Sequence, residues 1–114
     1  MKKHYMVVCH KVRDYAQWKR TFDKYIENFS RKYGLGNVWV RRNADDANEL
    51  IISTTVDDLA RAREFAKSAE LKDAMKEAGA IGTASFSFLE ELVEVRETVS
   101  VGSSLEGDYW EGGD

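Results

Sequence analysis

The chain has 114 residues, enough for one domain with a real core and too few for two. Its 43% hydrophobic and 32% charged content is that of an ordinary soluble globular protein, and no apolar run approaches the ~20 residues that cross a bilayer, so a membrane span is excluded. The net charge of −3 hides an asymmetry: residues 97–114 carry five acids and no Lys or Arg, which leaves a scattered +2 on the first 96 and no basic stripe of the kind that tracks nucleic acid.

The N-terminus, Met1-Lys2-Lys3-His4-Tyr5, leads into a short strand-like run with no small-residue cleavage site, so a cytoplasmic protein is expected. His4 to Val12 reads as β, with Met6, Val8 and Val12 on one face and Tyr5, Val7 and Cys9 on the other. Asp14-Tyr15-Ala16-Gln17 fits a capping box, and Tyr15, Trp18, Phe22, Tyr25, Ile26, Phe29 and Tyr33 then recur at helical spacing as far as Gly34. Asn37 to Arg42 alternates as a second strand. Residues 43–48, Asn-Ala-Asp-Asp-Ala-Asn, are turn chemistry before a third strand from Glu49 to Val56. Asp57 or Asp58 caps a second helical region through Leu59, Ala62, Phe65 and Ala66. Ser68 breaks it and caps a further turn with Leu71, Ala74, Met75 and Ala78, and Gly79 and Gly82 stop it. A last strand is expected from about Thr83 to Val95, with Phe86 and Phe88 on one face and Leu89 on the other.

The order βαββαβ is the ferredoxin-like α+β plan, a four-stranded antiparallel sheet with its helices on one face. The expected domain is residues 1–96, and residues 97–114 form an acidic tail whose Tyr109 and Trp110 could dock on the body or on a partner. Strands one and three are apolar on both faces. An uncovered apolar sheet face is an aggregation hazard, so a homodimer is expected, a second copy covering the side the helices leave open.

Three stretches carry a resemblance: Val8 to Lys19 (VCHKVRDYAQWK), Arg42 to Glu49 (RNADDANE), and Phe65 to Met75 (FAKSAELKDAM) with Ala78-Gly79 after it. They resemble the antibiotic biosynthesis monooxygenase-like proteins of the dimeric α/β-barrel superfamily, over about residues 4–92. The resemblance implies two ferredoxin-like subunits with their sheets face to face and a ligand cavity between sheet and helices in each. Superfamily members include cofactor-free oxygenases, haem-degrading enzymes and cyclases.

His10, near the end of the first strand, is the candidate catalytic residue, since a neutral imidazole can take a proton or orient a hydroxyl. The plainer alternative is a histidine bonded to backbone or lining the helix contact. Trp18, Phe22, Trp39, Phe65, Met75 and Phe86 are candidates to wall a pocket for a small apolar or aromatic ligand, against the alternative that they are core. Tyr5 and Tyr15 could also assist ionisation of a polyphenol. No cofactor is expected: haem-degrading members carry an axial histidine on a helix, whereas His4 and His10 fall on a strand. No metal is expected either, because Cys9 is the sole cysteine and points away from its neighbour His10. Asp45-Asp46 and Asp57-Asp58 are accounted for by turns and caps. Arg41 and Arg42 could hold an anion, since one of the adjacent pair must face inward. A dimeric α/β-barrel protein that binds a small, mainly apolar molecule leads this reading, with oxygenase or related activity as an option at a pocket near His10 and Trp18, and a non-enzymatic ligand-binding or structural homodimer is the alternative.

Overall fold

A computed structural model of the chain describes residues 2–93. Its elements are β1 (His4–Val12), α1 (Tyr15–Tyr33), β2 (Leu35–Asn43), β3 (Asp46–Val56), α2 (Leu59–Lys67), α3 (Ala69–Glu77) and β4 (Ala80–Glu90). The strands form one antiparallel sheet in the order β2-β3-β1-β4, so the first strand lies between the third and the fourth. This is the ferredoxin-like α+β arrangement expected from the sequence, with its second helical segment split in two. The expected tail at 97–114, with Tyr109 and Trp110, lies outside the described residues, as does Val95 at the expected end of the last strand.

Capping chemistry fixes the helices. Asp14 is extended (φ −156°) and its carboxylate accepts the Ala16 N–H at 3.0 Å, which satisfies one of the free donors at the start of α1. The expected capping box is only half formed, because Gln17 turns away from Asp14 and donates its amide to the Glu77 carbonyl at the end of α3 (2.9 Å). At the other end of α1 the guanidinium of Arg61 donates to the carbonyls of Arg31 and Lys32, closing acceptors the helix leaves open. One side chain separates α2 from α3: the Ser68 hydroxyl donates to the Phe65 carbonyl (2.8 Å) and accepts the Leu71 N–H (3.1 Å).

The sheet extends beyond the sequence expectation at three points. β3 begins at Asp46, because Asn43 and Asp46 pair across a two-residue turn of Ala44 and Asp45. The Asn43 side chain accepts the Asp45 N–H (2.7 Å), the Asx-type contact that lets a short polar segment reverse the chain. β2 begins at Leu35, ahead of a register shift between Leu35 and Val38. β4 begins at Ala80, so Gly82 lies inside the strand where the β1–β4 register shifts between Cys9 and Lys11, and only Gly79 belongs to the helix end. The strand also stops at Glu90, short of the expected Val95.

Alternation sorts the side chains. Met6, Val8, His10 and Val12 of β1 face the helices on the same side as Leu50, Ile52, Thr54 and Val56 of β3, with Met6 opposite Thr54, Val8 opposite Ile52 and His10 opposite Leu50. Two buried clusters result. Met6, Val8, Tyr33, Leu35, Val56, Ala62 and Phe65 fill one end of the layer, and Val12, Trp18, Leu50 and Ala78 the other. The opposite face carries Tyr5, Val7 and Cys9 on β1, Trp39 on β2, Ile51 on β3, and Ile81 and Leu89 on β4, with small hydroxyl residues between them. Trp39, Ile81 and Leu89 are 40–49% exposed there.

The α3–β4 connection is a two-residue turn of Ala78 and Gly79. Gly79 has φ +82°, and a Cβ at that position would stand 2.9 Å from Oε1 of Gln17. Gly79→Ala should therefore lower stability by about 1–2 kcal/mol for the left-handed backbone, and somewhat more for the displaced Gln17 amide. Urea unfolding of the two proteins measures it.

Candidate functional site

The helix layer does not close fully on the sheet. Between them lies a cavity of about 100 Å³, far above the roughly 10–15 Å³ that a single water needs. The sheet contributes Met6, Val8 and His10 from β1, Ile52 and Thr54 from β3, Val38 from β2 and Phe86 from β4. From above come Trp18, Phe22, Tyr25 and Phe29 of α1, Phe65 of α2, and Leu71 and Met75 of α3. The lining is almost wholly apolar, as is usual for a small-molecule site with a few fixed polar groups.

His10 is the exception. It is 6% exposed, and among the described residues neither ring nitrogen has a hydrogen-bond partner. Buried polar atoms are nearly always paired, so two unpaired nitrogens on one side chain call for an explanation. The period of β1 supplies the geometric part of it: His10 stands in the inward row between Val8 and Val12, where any side chain must meet the helix layer. Its ring meets the edge of Trp18, with centroids 6.2 Å apart and planes at 89°. The alternative of a backbone-bonded histidine is thus not what the structure has, whereas contact with the helix is. Burial pushes the imidazole below its ordinary pKa of 6.5, which keeps it neutral at physiological pH with one nitrogen free to accept and the other to donate.

Trp18, 4% exposed, is the centre of an aromatic stack along α1. Tyr15 lies against it at 5.9 Å and Phe22 at 4.8 Å, both nearly parallel. Phe29 and Phe65 meet at the far end, 5.0 Å apart. The structure therefore brings five of the six expected wall residues, Trp18, Phe22, Phe65, Met75 and Phe86, to one cavity together with His10. The sixth, Trp39, is elsewhere: it pairs with Ser53 on β3, and alternation sends its side chain to the open face of the sheet. Tyr5 also belongs to that open face, its hydroxyl donating to Glu91 at 2.6 Å. Tyr15 sits outside the cavity.

Three polar residues also line the cavity. Tyr25 belongs to the helical stripe read from the sequence but is not among the expected walls, and Thr21, three residues after Trp18 on α1, and Thr54, two after Ile52 on β3, could have been found by periodicity alone. The hydroxyls of Thr21 and Thr54 donate to the carbonyls of Gln17 and Thr55, and that of Tyr25 to Glu77 at 2.7 Å. Glu77 also receives Lys24 (2.8 Å), while Glu70 receives Lys32 and Tyr33. The lysine of each pair, with the tyrosine beside it, holds the carboxylate below the usual range. These contacts tie α3 to α1 over the cavity. Among the described residues no three His, Cys, Asp or Glu side chains gather as a metal site would require, and no helix is long and apolar enough to cross a membrane.

The sign of the burial effect gives a test of His10. An unfolded chain protonates this histidine near 6.5 and the folded chain only at lower pH, so stability is lost as pH falls from about 6.5 toward the lowered value and levels off below it. His10→Leu should remove that segment of the pH dependence. At neutral pH it should stabilise by on the order of 1 kcal/mol, because two unpaired nitrogens leave the interior. Denaturation midpoints between about pH 7.5 and about pH 5 report both effects.

No family model matches the chain, and no curated protein matches it significantly. Solved structures do. A candidate antibiotic biosynthesis monooxygenase from Bordetella bronchiseptica superposes with a TM-score of 0.69 at 11% identity, covering 82% of this chain and 100% of the other. SnoaB, a cofactor-independent oxygenase from Streptomyces nogalater, gives 0.62 at 16% identity, with 87% and 98% covered. The monooxygenase ActVA-Orf6 of Streptomyces coelicolor, solved in complex with Nanaomycin D, gives 0.62 at 16% identity, with 85% and 94% covered. Identities this low speak to architecture, and on that level the chain has the ferredoxin-like fold of the antibiotic biosynthesis monooxygenase-like proteins.

Proposed function

We propose that the chain is a cofactor-independent oxygenase of the antibiotic biosynthesis monooxygenase-like family, acting on an apolar phenolic molecule held between sheet and helices. The observation that carries this reading is His10, a buried neutral imidazole with both nitrogens unpaired in an otherwise apolar cavity. Its deprotonated nitrogen accepts the hydrogen of a phenol, and the phenolate so formed is the electron donor to dioxygen. One oxygen atom bonds to the ring and the other leaves as water. The phenol goes to a quinone by the same number of electrons that reduces dioxygen, so no further reductant is required. The low polarity of the walls favours this chemistry, since a phenolate without water around it is a stronger reductant. Trp18 and Phe22, stacked on each other at 4.8 Å, give this wall of the cavity an aromatic surface suited to a planar ring.

In this reading the protein is a cytoplasmic homodimer. The apolar side chains on the open sheet face, Trp39, Ile51, Ile81 and Leu89 among them, support it, because a second copy of the same face would cover them.

Native mass spectrometry of the full chain purified from its own host reports subunit number and any retained small molecule together. A dimer is expected, and a monomer would overturn the sheet-to-sheet assembly. Oxygen consumption with a panel of naphthols and anthrols should then show turnover that His10→Ala lowers at least about a hundredfold with folding intact. A folded His10→Ala protein that turns over at the wild-type rate removes His10 from the chemistry.

A further inference from the structure

A second depression lies beside the cavity, lined by Tyr15, Val40, Arg41, Arg42 and Leu50. Each of its apolar walls adjoins a wall of the inner cavity. Val40 is the cross-strand partner of Ile52, Leu50 is the partner of His10, and Tyr15 stacks on Trp18 at 5.9 Å. Ile52, His10 and Trp18 all line the inner cavity, so the two spaces are neighbours on the same face of the sheet.

The depression has a cation at its rim. Alternation along β2 puts Arg42 on the helix side with Val38 and Val40, and its guanidinium lies 5.1 Å from the centre of the Tyr15 ring. Among the described residues it forms no ion pair with a carboxylate. The acids of β3 are engaged elsewhere, Asp46 by Lys11 at 3.0 Å and Glu49 by Asn43 at 2.8 Å. Tyr15 holds the guanidinium from one side through the ring face and leaves its fork of N–H donors open, which is the geometry that receives a carboxylate bidentately. His10, Leu50 and Arg42 stand in one row across three adjacent strands on the same face, which sets the Arg42 backbone about 10 Å from that of His10.

We infer that the two spaces form one site and that its ligand is an aromatic carboxylate, with the ring system beside His10 and the carboxylate on Arg42. This rests on the inner cavity being a ligand site and adds the charge and length of what it takes. Arg42 is a specificity residue in this arrangement and has no part in the proton transfer. Arg41, the other arginine at this rim, pairs with Ile51 and belongs to the open-face row of β2.

The test is calorimetric titration of the full chain with 2-naphthylacetic acid and with its neutral amide, at low salt. The acid should bind about tenfold more tightly than the amide or better. Raising the salt should narrow that gap, because Arg42 is exposed. Arg42→Gln should leave the amide unchanged and bring the acid to within about twofold of it, whereas Arg41→Gln should preserve the preference. Equal binding of acid and amide by the unmodified protein overturns the inference while leaving the cavity reading intact, as does a preference that survives Arg42→Gln. Failure of both compounds to bind overturns the cavity reading, and this inference with it.

Discussion

The architecture depends on one constraint, the period of two along a strand that is hydrogen-bonded on both sides. β1 pairs with β3 and with β4, so it can neither slip nor rotate without breaking two ladders. Its alternation therefore decides which face of the whole sheet is interior. Met6, Val8 and Val12 make that face apolar, and the same count places His10 among them. A polar ring is thus held in the core by the register of its neighbours rather than by any bond of its own.

That placement explains why the cavity has chemical character at all. Without His10 the space between sheet and helices would be lined by carbon and by hydroxyls already donating to carbonyls or, at Tyr25, to the Glu77 carboxylate. Desolvation keeps the imidazole uncharged, and the edge contact with Trp18 orients the ring without using either nitrogen. The cost of burying two unpaired nitrogens is borne by the surrounding packing, where Val12 and Leu50 are fully buried on the same face. Polar atoms held ready in a dry, shaped space are the usual condition for a site that binds by exchanging a ligand's hydrogen bonds for water's.

Much of this was legible in the sequence because it follows from periodicity. The helical spacing of Trp18, Phe22 and Phe29, the alternation of β1 and β3, and the caps at Asp14, Asp58 and Ser68 are local signals, and local signals set the element order. Interactions between elements were not legible. Gln17 has the right spacing for a capping box but finds a better acceptor sixty residues away at Glu77. Trp39 looked like a wall residue because it is large and aromatic, yet only the parity of β2 against β3 decides its face. The start of β3 moved because residues 43–46 form a two-residue turn, which leaves Asp46 in the ladder although its composition suits a loop. For His10, sequence supplied the position, and the lack of a partner among the described residues is a property of the assembled packing alone.

The hydroxyl of Ser68 has a wider consequence. A single oxygen closes α2 and opens α3, so the two helices meet with no loop between them to absorb a change in length. Adding or removing one residue there would turn α3 by about 100° about its own axis. Leu71, Ala74 and Met75 would leave the cavity, and the glutamates that meet α1 would point elsewhere. The roof of the cavity is thus tunable by substitution but closed to insertion and deletion. Variation in what the space admits must come through changes of side chain on a helix of fixed phase, whereas the two-residue turn at Ala44 and Asp45, whose residues are exposed, can lengthen without altering the fit above the sheet.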